Sequence, residues 1–276
     1  MQRLCALLEV STSGYSDWLQ RSPSARDLRH EVLAQAVRES HAAAQRRYGS
    51  PRLHAELTAR GFSCCVNTVA KIMQELGLRS RTAKKFRQTT DSNHTLPIAD
   101  NLVNQEFTAS GPNELWLTDI TYIHTSEGWL YLAGVLDMFS RRLVGWSMSE
   151  TMTSRLVVEA LKAATQTRQC AEVLWVHSDR GSQYASEHYQ ELLTAEELVC
   201  SMSRRGNCYD NSPMESFWAT LKKEVVHDTH YQTRVEARAS LFEYIEVFYN
   251  RQRRHSALGY VSPAEFEERY ASNKYS

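Results

Sequence analysis

The sequence predicts an α/β protein in which helices flank a mixed sheet, preceded by an all-α region. Apolar residues recur at helical spacing over the first 90 residues. After Pro112, three runs rich in apolar and β-branched residues follow one another, and then strand-like and helix-like segments alternate. With 276 residues, of which 42% are hydrophobic and 23% charged, the chain has room for one large domain and a smaller one.

The first 42 residues predict an N-terminal helical segment. Residues 4–20 predict two short helices around a break at Val10-Ser11, and a polar helix follows over about 27–45. The apolar faces of the two short helices consist of Leu4, Leu7 and Leu8, and of Tyr15, Trp18 and Leu19.

Residues 43–90 predict a helix-turn-helix domain. Its first helix begins at Ser50-Pro51, with serine as the cap and proline in the first turn, and ends at Gly61. Its second helix is capped by Asn67 and ends at Gly77. The residues predicted to face inward are Leu53, Leu57, Val69, Ile72 and Leu76. Such pairs bind DNA through the second helix, but they also occur as plain structural hairpins.

The charge distribution favours DNA binding by this domain. Residues 1–95 hold 15 Lys and Arg against 8 Asp and Glu, whereas residues 96–276 hold 17 against 24. This imbalance indicates that the basic end binds a polyanion, although a solvated helical face gives the same excess of basic residues. The residues predicted to contact DNA in this region are Arg46, Arg47, Arg52, Lys71, Arg79, Arg81, Lys84 and Lys85.

Residues 91–111 predict a linker, and residues 112–270 predict a catalytic core with C-terminal helices. The predicted strands are 115–123, 129–136, 143–148, 173–177 and 198–202. The predicted helices are 154–165, 186–197, 213–226 and 234–250. Three meandering strands, followed by strands that alternate with helices, indicate a mixed sheet of the ribonuclease-H-like kind.

Three carboxylates are the candidate catalytic residues. Asp119 interrupts an apolar strand, where burial of an unpaired charge costs several kcal/mol unless a metal or an arginine compensates it. Asp179 follows the strand that ends at His177, and ligands of α/β sheets bind beyond the carboxyl ends of strands. An exposed strand end explains Asp119 equally well, and a common Asp-x-Gly turn explains Asp179.

Glu215 has a competing structural explanation. Ser212-Pro213-Met214-Glu215 has the pattern of a capping box, in which the glutamate serves only to cap the helix. Ser262-Pro263-Ala264-Glu265 has the same pattern with no sign of chemistry around it. Lys222 and Lys223 follow Glu215 on the predicted helix, where they would meet a phosphate backbone.

The combination of these three carboxylates predicts a site for two Mg²⁺ or Mn²⁺ ions, held by Asp119, Asp179 and Glu215. Carboxylates from a strand, a strand end and a helix start can converge at one edge of a sheet. Hard divalent cations prefer oxygen ligands, and paired ions promote phosphoryl transfer.

A series of motifs carries a family resemblance over nearly the whole chain. Glu215 follows Asp179 after thirty-five residues, a spacing also seen in retroviral integrases. The motifs, in chain order, are Tyr48-Gly49-Ser50-Pro51-Arg52, Trp116-Leu117-Thr118-Asp119-Ile120-Thr121-Tyr122, Leu136-Asp137-Met138-Phe139-Ser140-Arg141, His177-Ser178-Asp179-Arg180-Gly181-Ser182-Gln183-Tyr184, Gly206-Asn207-Cys208-Tyr209-Asp210-Asn211, Glu215-Ser216-Phe217-Trp218, Leu221-Lys222-Lys223-Glu224 and Tyr249-Asn250-Arg251-Gln252-Arg253-Arg254-His255. Together they resemble the second-frame product (OrfB) of insertion-sequence-three family transposases.

This resemblance implies that Asp119, Asp179 and Glu215 form the Asp-Asp-Glu triad of a two-metal DNA transposase. It implies as substrates the terminal inverted repeats of a mobile element and a target DNA. It also implies assembly into a homo-oligomer on DNA and an upstream-frame product as a fusion or partner. Asp137 matches a family position outside the triad, and we interpret it as a hairpin-turn residue.

Composition adds the expected compartment and excludes some site types. The chain has no apolar run of about eighteen residues and no signal-peptide core, which predicts a cytoplasmic, nucleoid-associated protein without membrane contact. Its six cysteines lack a C-x-x-C pair, so we expect no structural zinc site. Two alternatives to a transposase stay open, a non-catalytic DNA-binding regulator and a nuclease that cuts without joining.

Overall fold

The computed structural model describes residues 1–81, 97–205 and 207–274, and the chain forms two compact units, Met1–Ser80 and Arg81–Ser276. The domain boundaries inferred from the sequence stay predictions. Within the described ranges, no helix combines the length and apolar character that a membrane crossing requires.

Unit 1 is entirely helical. Its helices are α1 (Gln2–Leu7), α2 (Thr12–Gln20), α3 (Ala25–Ala43), α4 (Ser50–Ala59) and α5 (Val66–Glu75). A capping box between Ser24 and Asp27 begins α3, since each side chain accepts a hydrogen bond from the other residue's backbone N–H. Gly61 and Gly77 follow α4 and α5 at positive φ, which glycine adopts without steric cost.

The helix pair α4 and α5 forms the predicted helix-turn-helix around a buried apolar centre. Leu53 and Leu57 of α4 and Val69 and Ile72 of α5 are almost completely buried. Burial of such side chains stabilises the pair by roughly 1.5–3 kcal/mol each. The starts of both helices differ by one or two residues from prediction, because Gly49 caps α4 and Cys65 caps α5.

The apolar faces predicted for the first two helices remain exposed. Leu7 is 78% exposed and Trp18 is 63% exposed, although Tyr15 stacks on Trp18 at 6.1 Å. Cys5 is the buried residue of α1. Helices of six and nine residues bury their stripes only when another element covers them, and no described element of unit 1 does so here.

Unit 2 is built on a five-stranded sheet with the order β3-β2-β1-β4-β5. The strands are β1 (Leu115–Thr125), β2 (Gly128–Asp137), β3 (Leu143–Ser149), β4 (Trp175–Ser178) and β5 (Val199–Met202). β1, β2 and β3 form an antiparallel meander, and β4 and β5 add to β1 in parallel. This arrangement confirms the predicted ribonuclease-H-like mixed sheet.

Helices cover the sheet and close its core. They are α6 (Ser154–Thr167), α7 (Glu187–Ala195), α8 (Ser212–Leu221), α9 (Arg234–Phe242) and α10 (Pro263–Lys274). α6 packs so closely on β3 that a Cβ at Gly145 would collide with the backbone of Ala160. The turn after β2 is held by Asp137, whose carboxylate accepts hydrogen bonds from Ser140 and from the backbone of Asn113.

Ion pairs fasten the C-terminal helices to this core, and the pair of Arg253 with Glu224 is fully buried whereas those of Glu267 are partly buried. π-helical turns extend α8 over Lys222–Val226 and α9 over Glu243–Tyr249. Arg253 donates two hydrogen bonds to the buried carboxylate of Glu224, at 2.8 and 2.9 Å. Glu267 of α10 accepts from Arg142 and Arg168. Removal of one partner of such a pair leaves a buried charge uncompensated, which costs about 3–5 kcal/mol.

Candidate active site

Asp119 lies in the middle of β1, opposite Gly134 of β2. Its carboxylate accepts a hydrogen bond of 3.1 Å from the indole nitrogen of Trp218 on α8. A Cβ at Gly134 would approach the Trp218 ring to 2.9 Å, so the glycine makes room for the tryptophan that reaches Asp119. The strand and the helix that carries Glu215 are therefore joined at Asp119.

The electrostatic environment of Asp119 is strongly acidic. Burial raises the pKa of its carboxyl well above the usual range, and the negative charges of Asp179 and Glu215 raise that pKa further. Hydrogen bonds from the Ile120 N–H and from Trp218 oppose this rise but do not cancel it. The charges of Asp179 and Glu215 therefore both act on Asp119, and removal of water strengthens that repulsion.

Asp179 directly follows β4, which confirms its expected place beyond the carboxyl end of a strand. Leu117 and His177 pair in parallel register, so Asp119 and Asp179 each stand two residues further along neighbouring strands. Gly181 donates its N–H to the Asp179 carboxylate at 2.9 Å, which turns the chain away from the sheet. This register explains how two acids sixty residues apart come to interact.

Glu215 lies in the first turn of α8, and the predicted capping box is wrong at this helix. α8 begins at Ser212 itself, and its N-cap, Asn211, makes no side-chain cap bond within the described structure. At α10 the same sequence pattern does cap, because the Ser262 hydroxyl accepts the N–H of Glu265 at 3.2 Å. The two helices differ because a 3₁₀ turn leads straight into α8 and leaves Ser212 already helical.

Asn211 fixes the start of α8 against β1. Its amide donates a hydrogen bond of 3.2 Å to the carbonyl of Thr118, the neighbour of Asp119. The side-chain oxygen of the same residue is buried and has no hydrogen-bond partner among the described residues. A buried acceptor without a partner costs about 1–3 kcal/mol, so this oxygen marks a place where a donor or cation is favourable.

Lys222 lies beside the acids, buried in the π-helical turn, and not on an exposed continuation of α8. Its ammonium sits 4.7 Å from the centre of the Tyr122 ring and is attracted to Asp119. Burial lowers the pKa of Lys222 to about 8, although the charge of Asp119 acts in the opposite direction. Lys223 is half-buried. Contact of either lysine with DNA stays a prediction.

A second buried carboxylate, Asp210, holds the loop that leads to Glu215. Arg204 donates two side-chain hydrogen bonds to it, at 2.8 and 3.0 Å, and its backbone N–H donates a third. Asn101, Gln105 and Asn207 each donate one more, at 2.8–3.0 Å. These bonds lower the pKa of Asp210, with Arg204 as the largest cause. The segment around 101–105 thereby braces the loop before α8.

Two buried side chains near the carboxylates, His177 and Tyr184, are polar but uncharged. His177 is fully buried between the hydroxyls of Ser201 and Ser203, at 2.8 and 3.2 Å, and burial lowers its pKa to about 4. Tyr184, also buried, shares a hydrogen bond of 3.3 Å with Thr118, and burial and the nearby acids raise its pKa. Neither side chain therefore carries a charge at neutral pH.

The predicted DNA-contact residues of the N-terminal region fall into different environments. Lys71 on α5, Arg46 and Arg79 are exposed, whereas Arg47 is buried and Arg52 half-buried. Arg81 belongs to unit 2, where it donates a hydrogen bond to the backbone of Glu224. Lys84 and Lys85 lie outside the described residues.

Trp218, Gly134 and Asp210 are site residues to which sequence reasoning gave no role. Trp218 and Asp210 stood in recognised motifs, but Asp119, the partner of Trp218, and Asn101, one donor to Asp210, lie about a hundred residues away in the chain. The only local signal was a glycine inside an apolar strand, which often marks a close approach by another group.

Three family models match the chain. One described as an integrase core domain matches residues 109–208, and a second integrase core domain model matches residues 215–270. A model described as an HTH-like domain matches residues 27–86.

Curated proteins resemble the chain over almost its full length. A 31 kDa protein of insertion element IS600 from Shigella sonnei is 46% identical over 267 residues, which cover 97% of this chain and 98% of the relative. Transposase InsF for insertion sequence IS3A from Escherichia coli K12 is 44% identical over 271 residues, which cover 98% and 94%. Among solved structures, an HTLV-2 integrase catalytic core domain in complex with magnesium is 17% identical, with a TM-score of 0.45 over 58% of this chain and 99% of that one.

The Asp210 cluster allows a direct test of how the loop before Glu215 is held. We expect Asp210→Asn to lower the free energy of unfolding by about 2 kcal/mol at pH 7, because the bonds from Arg204 and its neighbours lose a charged acceptor. Since the native pKa of Asp210 is lowered, its contribution is complete above the ordinary aspartate pKa of about 3.9 and is lost as the pH falls below it. Urea unfolding across this pH range measures the difference.

The control for this measurement is Asp228→Asn, which alters an exposed carboxylate. We expect it to change stability by less than about 0.5 kcal/mol at either pH. A difference between Asp210→Asn and wild type that stays constant down to pH 3 would contradict the charged cluster.

Proposed function

Since the chain belongs to the IS3 (insertion-sequence-three) family of transposases, which carry out DNA transposition, we propose that Asp119, Asp179 and Glu215 hold two Mg²⁺ or Mn²⁺ ions. These ions serve strand cleavage and strand transfer at the ends of the element. The observation that carries the proposal is the convergence of the other two acids on Asp119. Parallel register sets Asp179 beside it, Trp218 joins it to the helix of Glu215, and burial together with both charges raises its pKa. Cations stabilise a carboxylate that is repelled in this way.

The residues present fit magnesium in kind, because carboxylate oxygens are ligands that it prefers. Within 1–81, 97–205 and 207–274, no three His, Cys, Asp or Glu side chains form a ready cage for one ion. Mg²⁺ does not require such a cage, because it is usually bound by one or two carboxylates, several waters and the phosphates of its substrate. The partnerless oxygen of Asn211 adds an acceptor for a water at this place. When bound, the ions activate the attacking oxygen and stabilise the leaving one.

The protein's own side chains prepare this arrangement. Trp218 fixes one oxygen of Asp119, so its carboxylate keeps one orientation whether or not its charge is compensated. The amide of Asn211 and the cluster around Asp210 hold both ends of the turn before α8. A site held this rigidly loses little entropy when the phosphodiester arrives.

Lys222 supplies a positive charge for the substrate. Its ammonium is buried next to Asp119, so it cannot serve as a general electrostatic contact on the protein surface. We assign it to a phosphate of the DNA bound at the carboxylates. Its desolvated position makes that attraction stronger than an equivalent contact in water.

Unit 1 would supply recognition. An HTH-like domain gives the protein a DNA-binding part, and we assign to it the terminal inverted repeats, with α5 in the major groove. Lys71 is exposed on α5 and suited to contact a phosphate. We further assign to the protein a second DNA, the target, and a homo-oligomeric state on DNA. We also assign to the protein an upstream-frame product as its fusion or partner. We place the protein itself at the nucleoid in the cytoplasm.

Glu215→Gln separates the metal role from a structural one. The glutamine keeps the size and hydrogen-bonding capacity of the side chain, so we expect the variant to fold and to bind end DNA. We expect strand cleavage to fall at least about a hundredfold, because the amide is a poor ligand for the ions. Cleavage of a labelled duplex that carries the element's end measures this loss.

Glu265→Gln is the matched control, since Glu265 follows a serine and a proline in the same pattern and its backbone N–H is capped by Ser262 at the start of α10. This variant should cleave at the wild-type rate, with at most about 1 kcal/mol less stability. Equal cleavage by the two variants would remove Glu215 from the site.

Metal substitution tests the ions themselves. We expect Mg²⁺ or Mn²⁺ to support cleavage, and excess chelator to abolish it while the fold persists. Ca²⁺ should allow end binding with little cleavage, because its coordination is larger and looser. The same labelled duplex reports both binding and cleavage, and cleavage that continues in excess chelator would refute the two-metal assignment.

Lys71→Ala tests the assignment of α5 to DNA. We expect several-fold weaker binding of end DNA, and a plot of log affinity against log salt whose slope falls by about one. Fluorescence anisotropy over a salt series measures both quantities. Lys162→Ala removes an exposed lysine of α6 and should change neither. An unchanged salt slope in Lys71→Ala would show that α5 does not face the phosphates.

A further inference from the structure

Tyr209 is a highly exposed aromatic residue next to the candidate active site. Its ring is 70% exposed and lies in the 3₁₀ turn Cys208–Asn211, which runs directly into α8 and Glu215. The described residues offer its hydroxyl no hydrogen bond and its ring no stacking partner. Single exposed apolar side chains are common on proteins, so exposure alone assigns nothing to it.

The backbone around Tyr209 is held in place by hydrogen bonds to its neighbouring residues. The side chain of Asn207 accepts the Tyr209 N–H at 3.1 Å. The next residue, Asp210, is buried and receives donors from two parts of unit 2, the segment 101–105 and the loop from Arg204. The one after it, Asn211, is bonded to β1 beside Asp119. The ring is therefore presented to solvent by a rigid turn and is not exposed because the loop is loose.

Resting on the proposed function, we propose that Tyr209 is a stacking platform for a nucleobase beside the phosphodiester held at Asp119, Asp179 and Glu215. A base offers its face only where it lacks a stacked neighbour, so the ligand is an unpaired or displaced base next to the cut. Every base has such a face, and this contact therefore tolerates any sequence.

The surroundings of Tyr209 favour a nucleic-acid strand over an apolar partner. Arg204, which holds Asp210, is itself half exposed and brings positive charge to the same loop. An aromatic ring and a guanidinium in one loop suit a chain of bases and phosphates. The buried carboxylate of Asp210, the residue next to Tyr209 in the turn, pairs with Arg204 and keeps it in place.

Photocross-linking tests this contact directly. End duplexes carry 5-iodouracil at single positions on either side of the cleavage site, and the full chain binds them in Ca²⁺ before irradiation. We expect cross-linking at one or two positions next to the cut, and peptide mapping should place the adduct on Tyr209. Tyr209→Phe should retain the adduct, because the ring remains, and Tyr209→Ala should lose it.

Cleavage rates supply a second measurement with the same variants in Mg²⁺. Tyr209→Ala should cut about tenfold more slowly, and Tyr209→Phe within about twofold of wild type, because stacking needs only the ring. A pre-nicked duplex with an unpaired flap at the cut should restore much of the rate of Tyr209→Ala. Phe242→Ala, which removes an exposed ring from α9, is the control and should behave as wild type.

The outcomes are distinct. An adduct that maps elsewhere, or a Tyr209→Ala variant that cuts at the wild-type rate, overturns the assignment of Tyr209 and leaves the metal site standing. A wild-type chain that binds end DNA but never cuts it overturns the proposed function, and the assignment of Tyr209 falls with it.

Discussion

A carboxylate in the interior of a strand is costly to keep ionised, and Asp119 occupies such a position between two further acids. Much of unit 2 serves to hold that unfavourable group in place. The parallel pairing of β1 with β4 brings Asp179 level with it, and the indole of Trp218 ties it to the helix of Glu215. The glycine opposite it on β2 makes room for that indole. Stability is thus given up at one point of the sheet, and in the proposed function this is the point at which cations and a phosphodiester bind.

The arrangement of the sheet follows from patterns that one sequence can carry. Apolar and β-branched runs predicted all five strands, because a strand covered on both faces needs such residues throughout. The position of Asp179 beyond a strand end was predicted for the same local reason. Trp218 escaped prediction because its partner, Asp119, lies about a hundred residues away, and so does Asn101, one of the donors to Asp210. No local pattern encodes a register between distant strands.

Identical local patterns also led to different structures. Ser212 and Ser262 each precede a proline and a glutamate, yet only Ser262 caps its helix. The preceding turn decides this, since a 3₁₀ turn makes Ser212 helical before it can cap. The apolar stripes of α1 and α2 are a second case, because helical spacing predicted a packed face and Leu7 remains exposed. Periodicity shows which face of a helix is apolar, but it does not show whether another element covers that face.

The ion pairs of Arg253 and Glu267 have a consequence for the order of events during synthesis. Both residues are translated late, and both are built into the core that surrounds the carboxylates. Domains fold as units from the amino end while the chain is still being made. The helix-turn-helix unit is therefore complete before the core of unit 2 is closed. Until Arg253 and Glu267 have left the ribosome, their ion pairs cannot form, so synthesis itself imposes a delay between the completion of unit 1 and that of unit 2.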